Sequence, residues 1–298
     1  MVHKGVKTLR KYAFMERKWL WIGISLIVIA AGLFSLATRG LNWGVDFTGG
    51  DILHFDIGEP YSLAEARQKI ESIGLKNVEV KEAGDNREEL IIRTPVLSLE
   101  QKNSLIQIIK ERWSKAQLIR AEKVDAIIGK ELQRQALIAL MIANCGVLLY
   151  VAFRFEFKSG IAAIGALIHD VLIMVSFYSI FYIPIDITFV AAILTVVGYS
   201  INDTIVIFDR IRENQRIMGK AKFDDIANTS ITQCLTRSIN TSLTTLLAII
   251  SLYFLGGETI KDFTLALIVG IVSGVYSTIF IATPIWSILR GQQKVARA

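Results

Sequence analysis

The stretch PIDITFVAAILTVVGYSINDTIVIF, residues 184–208, decides how the chain is read. As a helix rising about 1.5 Å per residue it is long enough to cross a hydrocarbon core of roughly 30 Å. Yet it carries Asn202 and Asp203. An ionisable carboxyl inside a span costs about 2.5–3.5 kcal/mol on insertion scales, so Asp203 is a functional-site candidate in need of a partner. Counted from the middle of the stretch, near Val197, it is displaced about 9 Å toward the end that continues into Asp209, Arg210, Ile211, Arg212 and Glu213. Tyr199 and Ser200 precede it by four and three residues on one helical face, and Gly198 admits a close neighbour helix.

Outward from this stretch, five further runs have spanning length, at 19–37, 136–153, 159–182, 239–255 and 263–289. With a mean hydropathy of +0.46 and 20% charged residues, the chain reads as a polytopic α-helical membrane protein of six transmembrane helices. The first run follows Lys4, Lys7, Arg10, Lys11, Arg17 and Lys18. At about 19 residues it exceeds the 7–15 of a signal-peptide core, so it reads as an uncleaved anchor.

Lys/Arg distribution orients the bundle, because short cytoplasmic connections carry the excess. Residues 1–18, the turn at Arg154 and Lys158, the 209–238 loop and the 290–298 tail are basic. The opposite connections, near Ile183 and over Gly256 to Asp262, hold only Lys261. Both termini are thus expected in the cytoplasm, with the 38–135 segment outside.

That segment reads as a folded domain. Leu53, Phe55 and Ile57 alternate as in a half-buried strand, and Ser62 with Glu65 predicts a capping box opening a helix that carries Leu63, Ala66, Ile70 and Ile73. Strands are expected at Asn77 to Lys81 and Glu89 to Arg93 around a turn at Gly84, Asp85 and Asn86. Ser98 with Gln101 predicts a second capped helix, and Gln117 to Glu122 a last strand. The order βαββαβ predicts a small α+β ferredoxin-like domain between helices 1 and 2. Its near-neutral charge and lack of an aromatic-rich RNA-binding strand argue against nucleic acid.

Before the domain stands GVDFTGG, with Gly44, Asp46, Phe47, Gly49 and Gly50. Paired glycines and a short acid suit a tight connector, while a direct transport role for Asp46 is the sharper alternative.

The other spans hold further polar residues. Arg237 enters the fifth span from the side toward which Asp203 is displaced and is the expected ion partner of Asp203. Asn240, Thr241, Thr244, Thr245 and Ala248 recur after it at helical intervals, a face for protein or water rather than lipid. His169 and Asp170 lie mid-span in the third run, where they serve either as hydrogen-bonding glue or as proton handlers. Adjacent helical residues point about 100° apart, so the two need not touch. Gly270 and Gly274 form a GxxxG packing device.

No cofactor or metal is expected, since His3, His54 and His169 lack ligand spacing, and Cys145 and Cys234 read as unpaired thiols. Nothing suggests an enzyme.

GVDFTGG after the first span, HDV in the third, GYSINDTIVIFDRIREN closing the fourth and TRSINTSLTTLLA opening the fifth resemble the SecF branch of the SecD/SecF family, end to end. The resemblance implies half of a resistance-nodulation-division (RND) type twelve-helix bundle in the bacterial inner membrane, completed by SecD. It implies use of the proton-motive force to help a secreted preprotein leave the SecYEG channel after SecA has driven it in. Further implied partners are YajC and YidC, and protons are the implied coupling ion. Asp203, Arg237 and Asn202 would match the proton pathway, with an opposing carboxylate from SecD. The competing readings are a scaffold subunit without a proton pathway and half of an RND-type exporter of small molecules or lipids. A self-contained exporter would show two sets of six spans, and this chain has one.

Overall fold

The computed structural model describes residues 12–295 apart from 76–77, 85–87, 155 and 220. Helix α1 (Lys18–Arg39) leads through the short turn α2 (Val45–Thr48) into strand β1 (Gly50–Asp56). There follow α3 (Leu63–Glu71), β2 (Glu79–Ala83), β3 (Glu89–Thr94), α4 (Leu99–Arg112) and β4 (Gln117–Val124). The remainder is helical: α5 (Ala126–Arg154), α6 (Phe157–Phe181), α7 (Ile187–Met218), α8 (Phe223–Leu255) and α9 (Lys261–Ser277). A π-helical turn, Thr278–Ala282, joins α9 to α10 (Thr283–Val295). Six helical segments are long and apolar enough to cross a membrane, the last running through α9, the π turn and α10.

The sheet domain has strand order β2-β3-β1-β4, with every neighbour antiparallel, which is the ferredoxin-like arrangement of a βαββαβ chain. Alternation along β1 puts Leu53 and Phe55 on the inner face with Leu90 and Ile92 of β3, against Ala66 and Ile70 of α3 and Leu105 and Ile109 of α4. Each large apolar side chain so buried contributes about 1.5–3 kcal/mol, enough for this small core to hold its two helices.

The two predicted caps part ways. Ser98 accepts from the Gln101 amide at 3.1 Å while Gln101 Oε1 accepts from the Ser98 amide at 3.0 Å, a complete capping box. Ser62 makes no side-chain cap bond, and the Glu65 carboxylate that would accept from the Ser62 amide to close the box accepts instead from Arg112 at 2.5 Å, a charge-assisted bond stronger than one from a neutral amide. Of the predicted turn, Gly84 is in place at φ +81°, while Asp85 and Asn86 lie outside the described residues, as does Asn77 at the expected start of β2.

The segment 209–238 is not an irregular loop. Helix α7 runs on to Met218 and α8 begins at Phe223, and polar bonds stitch the two extensions together. Asn214 donates to Ser230 and to Gln233, both at 2.8 Å, and Arg210 donates to Gln233 at 2.6 Å. Charged residues that end an apolar run need not end a helix when partners lie across a hairpin.

Helix α7 is the centre of the bundle, packed on α6, α8 and α9. The GxxxG of α9 makes its contact with α7: a Cβ on Gly270 would sit 2.3 Å from Val196 Cγ2. Gly198, expected to admit a neighbour, has no other residue's atom within 4 Å of an added Cβ among the described residues.

Candidate functional site

Asp170 and Asp203 lie buried within the lengths of their helices, and their surroundings differ. Asp170, on α6, is completely buried. Ser200 of α7 donates to its Oδ2 at 2.6 Å, Ser277 of α9 to the same oxygen at 2.8 Å, and Ser273 of α9 to Oδ1 at 2.7 Å. His169 touches it after all, Nδ1 lying 3.1 Å from Oδ1, because both side chains lean into the same interior space. His169 Nε2 lies 3.0 Å from Ser25 Oγ of α1, and its ring stacks at 5.9 Å on Tyr276, whose hydroxyl donates to the Trp21 carbonyl. Three hydroxyls and an imidazole thus occupy the four acceptor directions of one carboxylate and tie together α1, α6, α7 and α9. Ser25, Ser273 and Ser277 escaped the sequence reading; serines at a four-residue interval on α9 were the available signal.

Asp203 is also buried, at 8% exposure, but it is only half satisfied. Ser238 of α8 donates to Oδ1, and Oδ2 is buried with no hydrogen-bond partner among the described residues. The expected contact with Arg237 is not formed as an ion pair. Arg237 and Ser238 are adjacent on α8 and so point about 100° apart; Ser238 faces inward and Arg237 outward. Asn202 stands in the same relation to Asp203, exposed where its neighbour is buried.

Asn240 and Thr241 are exposed with Arg237 on α8, and Thr195 and Gly198 are exposed with Asn202 on α7. Thr241 and Thr244 turn their hydroxyls back onto the Arg237 and Asn240 carbonyls, each at 3.0 Å. The result is an uncovered face of small and polar residues running past the buried Asp203. Tyr199 closes the seam behind it, its hydroxyl 3.3 Å from Ser242 Oγ.

The GVDFTGG segment is a clasp. The Gly44 amide donates to the Ile185 carbonyl and the Ile185 amide to the Asn42 carbonyl, both at 2.8 Å. Asp46 Oδ2 accepts from the Ile187 amide at 3.3 Å, at the positive end of α7, and Phe47 is buried. Gly49 has φ +76°, and a Cβ there would lie 2.7 Å from the Ala126 amide nitrogen; one on Gly50 would lie 2.1 Å from the Thr94 carbonyl oxygen. The glycines therefore let β1 pass between β3 and the start of α5.

A second junction also escaped the sequence reading. Lys81 of β2 is bonded to Asp262, near the start of α9, and to Glu79 at 2.8 Å. Arg93 of β3 lies 3.8 Å from Asp186, which caps α7 by accepting from the Thr188 amide at 3.0 Å and the Phe189 amide at 3.1 Å. Burial pulls the Lys81 ammonium down, but the Glu79 and Asp262 carboxylates outweigh it and hold its pKa above the ordinary lysine value. The sheet domain is thereby bracketed to the N-terminal ends of α7 and α9, the two helices whose serines meet Asp170, and α7 also carries Asp203. Among the described residues no cluster of three or more His, Cys, Asp or Glu could hold a metal ion.

Comparison with known proteins follows the same residues. The family model described as protein export membrane protein SecD/SecF, C-terminal, matches residues 104–292, and the SecD/SecF GG motif matches residues 34–50. The protein translocase subunit SecF of Desulfurispirillum indicum is 41% identical over 280 residues, covering 91% of this chain and 89% of that protein. That of Pseudomonas aeruginosa is 39% identical over 271 residues, covering 90% and 88%. The crystal structure of SecDF, a translocon-associated membrane protein from Thermus thermophilus, superposes with a TM-score of 0.82 at 34% identity. It matches 98% of this chain, which spans only 40% of that longer one.

Proposed function

The chain belongs to the SecD/SecF family of protein-export membrane proteins, and on that premise we propose that it is the SecF-type subunit of a proton-driven translocase. With a SecD-type partner it would couple proton entry to the late stage of preprotein passage through the SecYEG channel. The distribution of Lys and Arg supports a placement in the bacterial inner membrane with both termini cytoplasmic and the sheet domain periplasmic.

One observation carries the reading: Asp203 is buried with one oxygen bonded to Ser238 and the other without a partner among the described residues, directly behind an uncovered polar face. A carboxylate built only for structure would have its acceptors filled, as those of Asp170 are. Ionised, Asp203 draws on the Ser238 hydroxyl and attracts Arg237, whose long side chain lies on the adjoining face. Protonated, it loses that attraction and gains a proton to donate, so Arg237 is released toward a carboxylate of the partner subunit. Asn202, Asn240 and Thr241 line the route by which a proton reaches it. Each proton crossing about 100 mV supplies roughly 2.3 kcal/mol, enough to shift a two-state equilibrium by a factor of about fifty.

The sheet domain, bracketed to α7 and α9, is the element that such a shift would move or brace. The experiment is Asp203→Asn in membrane vesicles, with proton-dependent completion of export as the readout. We expect loss of the uncoupler-sensitive component; an export rate that stays normal and uncoupler-sensitive would overturn the reading. A scaffold subunit without proton traffic is the second reading, favoured by the fully satisfied Asp170 network. It predicts that Asp203→Asn keeps full function.

A further inference from the structure

At the end of the bundle away from the sheet domain, where α5 finishes, α6 starts and α7 and α10 come together, lies a cavity of about 540 Å³. Four arginines line it, Arg154, Arg212, Arg216 and Arg290, against one lining carboxylate, Glu156. Asp209 just outside is held by Arg154 at 2.5 Å and lies 3.9 Å from Arg212, so four guanidinium groups face two carboxylates. Arg290 Cζ sits over the Phe223 ring, 5.1 Å from its centroid. Gln215, on the same wall, has a buried amide nitrogen with no hydrogen-bond partner among the described residues. The cavity therefore presents a surplus of positive charge and a donor lacking an acceptor.

What stands at its rim identifies the class of ligand. Phe153 and Phe157 are 90% and 83% exposed, at the end of α5 and the start of α6. Large apolar side chains that exposed, beside arginines and at the ends of spans, belong where acyl chains meet headgroups. A soluble anion or an acidic protein segment would have no use for them. Guanidinium groups bind phosphate in a bidentate fork, and basic pockets between spanning helices suit phospholipid headgroups.

We propose that this cavity binds the headgroup of an anionic phospholipid, with the phosphate among Arg212, Gln215, Arg216 and Arg290 and the acyl chains along Phe153 and Phe157. The site requires only that the chain lie in a bilayer and is independent of proton coupling.

The test is native mass spectrometry of the full chain, extracted together with its SecD-type partner and titrated with phosphatidylglycerol or phosphatidylcholine. Each basic residue near a membrane surface changes anionic-lipid affinity about fivefold, so Arg216→Gln with Arg290→Gln should weaken phosphatidylglycerol binding roughly 25-fold and leave phosphatidylcholine unchanged. Arg216→Lys with Arg290→Lys, which keeps the charge, should retain most of the preference. Equal binding of both lipids by the native chain, or equal phosphatidylglycerol binding by the native chain and the glutamine variant, would overturn the proposal. So would displacement of the lipid by glycerol phosphate at the same concentration, which would make free phosphate the ligand. If phosphatidylglycerol binds the isolated chain but not the complex, an acidic segment of the partner fills the cavity and the proposal fails. Should the glutamine variant not fold, salt decides: phosphatidylglycerol affinity of the native complex must fall with rising salt, and an unchanged affinity refutes the site.

Discussion

Ser238 donates its hydroxyl to Asp203, and among the described residues nothing meets the other oxygen of that carboxylate. The site is therefore a single hydrogen bond across the α7–α8 seam next to an open acceptor. Ser238→Ala would remove the one donor to a buried acid and should cost about 1.5–3 kcal/mol of stability. Asp203→Asn keeps the shape and removes a buried charge, so its stability should stay within about 1 kcal/mol of the parent. Thermal unfolding in detergent distinguishes the two; the reverse ranking would mean that Asp203 is held by contacts other than Ser238.

Asp170 should behave in the opposite way. With four hydrogen-bonding groups converging on it from three helices, Asp170→Ala leaves several buried donors unpaired and should cost about 3–5 kcal/mol. Ser277→Ala, which removes one donor of four, should cost about 1–3 kcal/mol. The same unfolding measurement applies, and an Asp170→Ala chain as stable as the parent would contradict a structural role for the network.

Glycines on α7 and α9 offer a paired comparison. Gly270→Val drives a side chain into Val196 and Met174, whose Sδ would lie 2.9 Å from the new Cβ, and should destabilise by about 1–3 kcal/mol or prevent folding. Gly198→Ala enters open space and should change the stability of the isolated chain by less than about 0.5 kcal/mol. If Gly198→Ala instead weakens co-purification of the SecD-type partner, the open face is where that partner packs.

The Lys81 bracket carries a pH dependence with a defined sign. Its folded-state pKa is raised, chiefly because Glu79 and Asp262 outweigh the effect of burial. A raised value means the stabilisation is fully present below the unfolded lysine pKa of about 10.4 and is lost as pH climbs through the higher folded value. Hydrogen exchange of β2 and of the start of α9 should therefore be insensitive to this pair between about pH 6 and pH 9, once intrinsic exchange rates are corrected. Lys81→Gln leaves two partly buried carboxylates without the ammonium between them and should loosen both segments at every pH in that range, by about 1–3 kcal/mol of local opening energy.

The residues that were legible in the sequence share a trait: their structure depends on near neighbours. The Ser98–Gln101 cap, the alternation of Leu53 and Phe55, and the GxxxG at Gly270 and Gly274 are local patterns, and each appears in the fold. Where a distant residue competes, local reading fails. Arg112, 47 positions from Glu65, takes the carboxylate that the first capping box needed. Gln233 and Ser230 convert a charged stretch after Phe208 into helix by receiving Asn214. Asp186 caps α7 through a local contact, but its approach to Arg93 requires the domain to be folded back onto the bundle.

The sequence alone determined the six spans, the βαββαβ domain, the family, and the presence of two carboxylates too costly to bury without purpose. Periodicity, length and composition suffice for these because hydrophobic burial acts on whole faces of helices and strands. Which side chain each carboxylate meets was decided by the tertiary structure. A helix rotates its face by about 100° per residue, so the choice between Ser238 and Arg237 as the group that reaches Asp203 turns on how α8 packs against α7. The same packing gave Asp170 a full set of donors and left Asp203 with one.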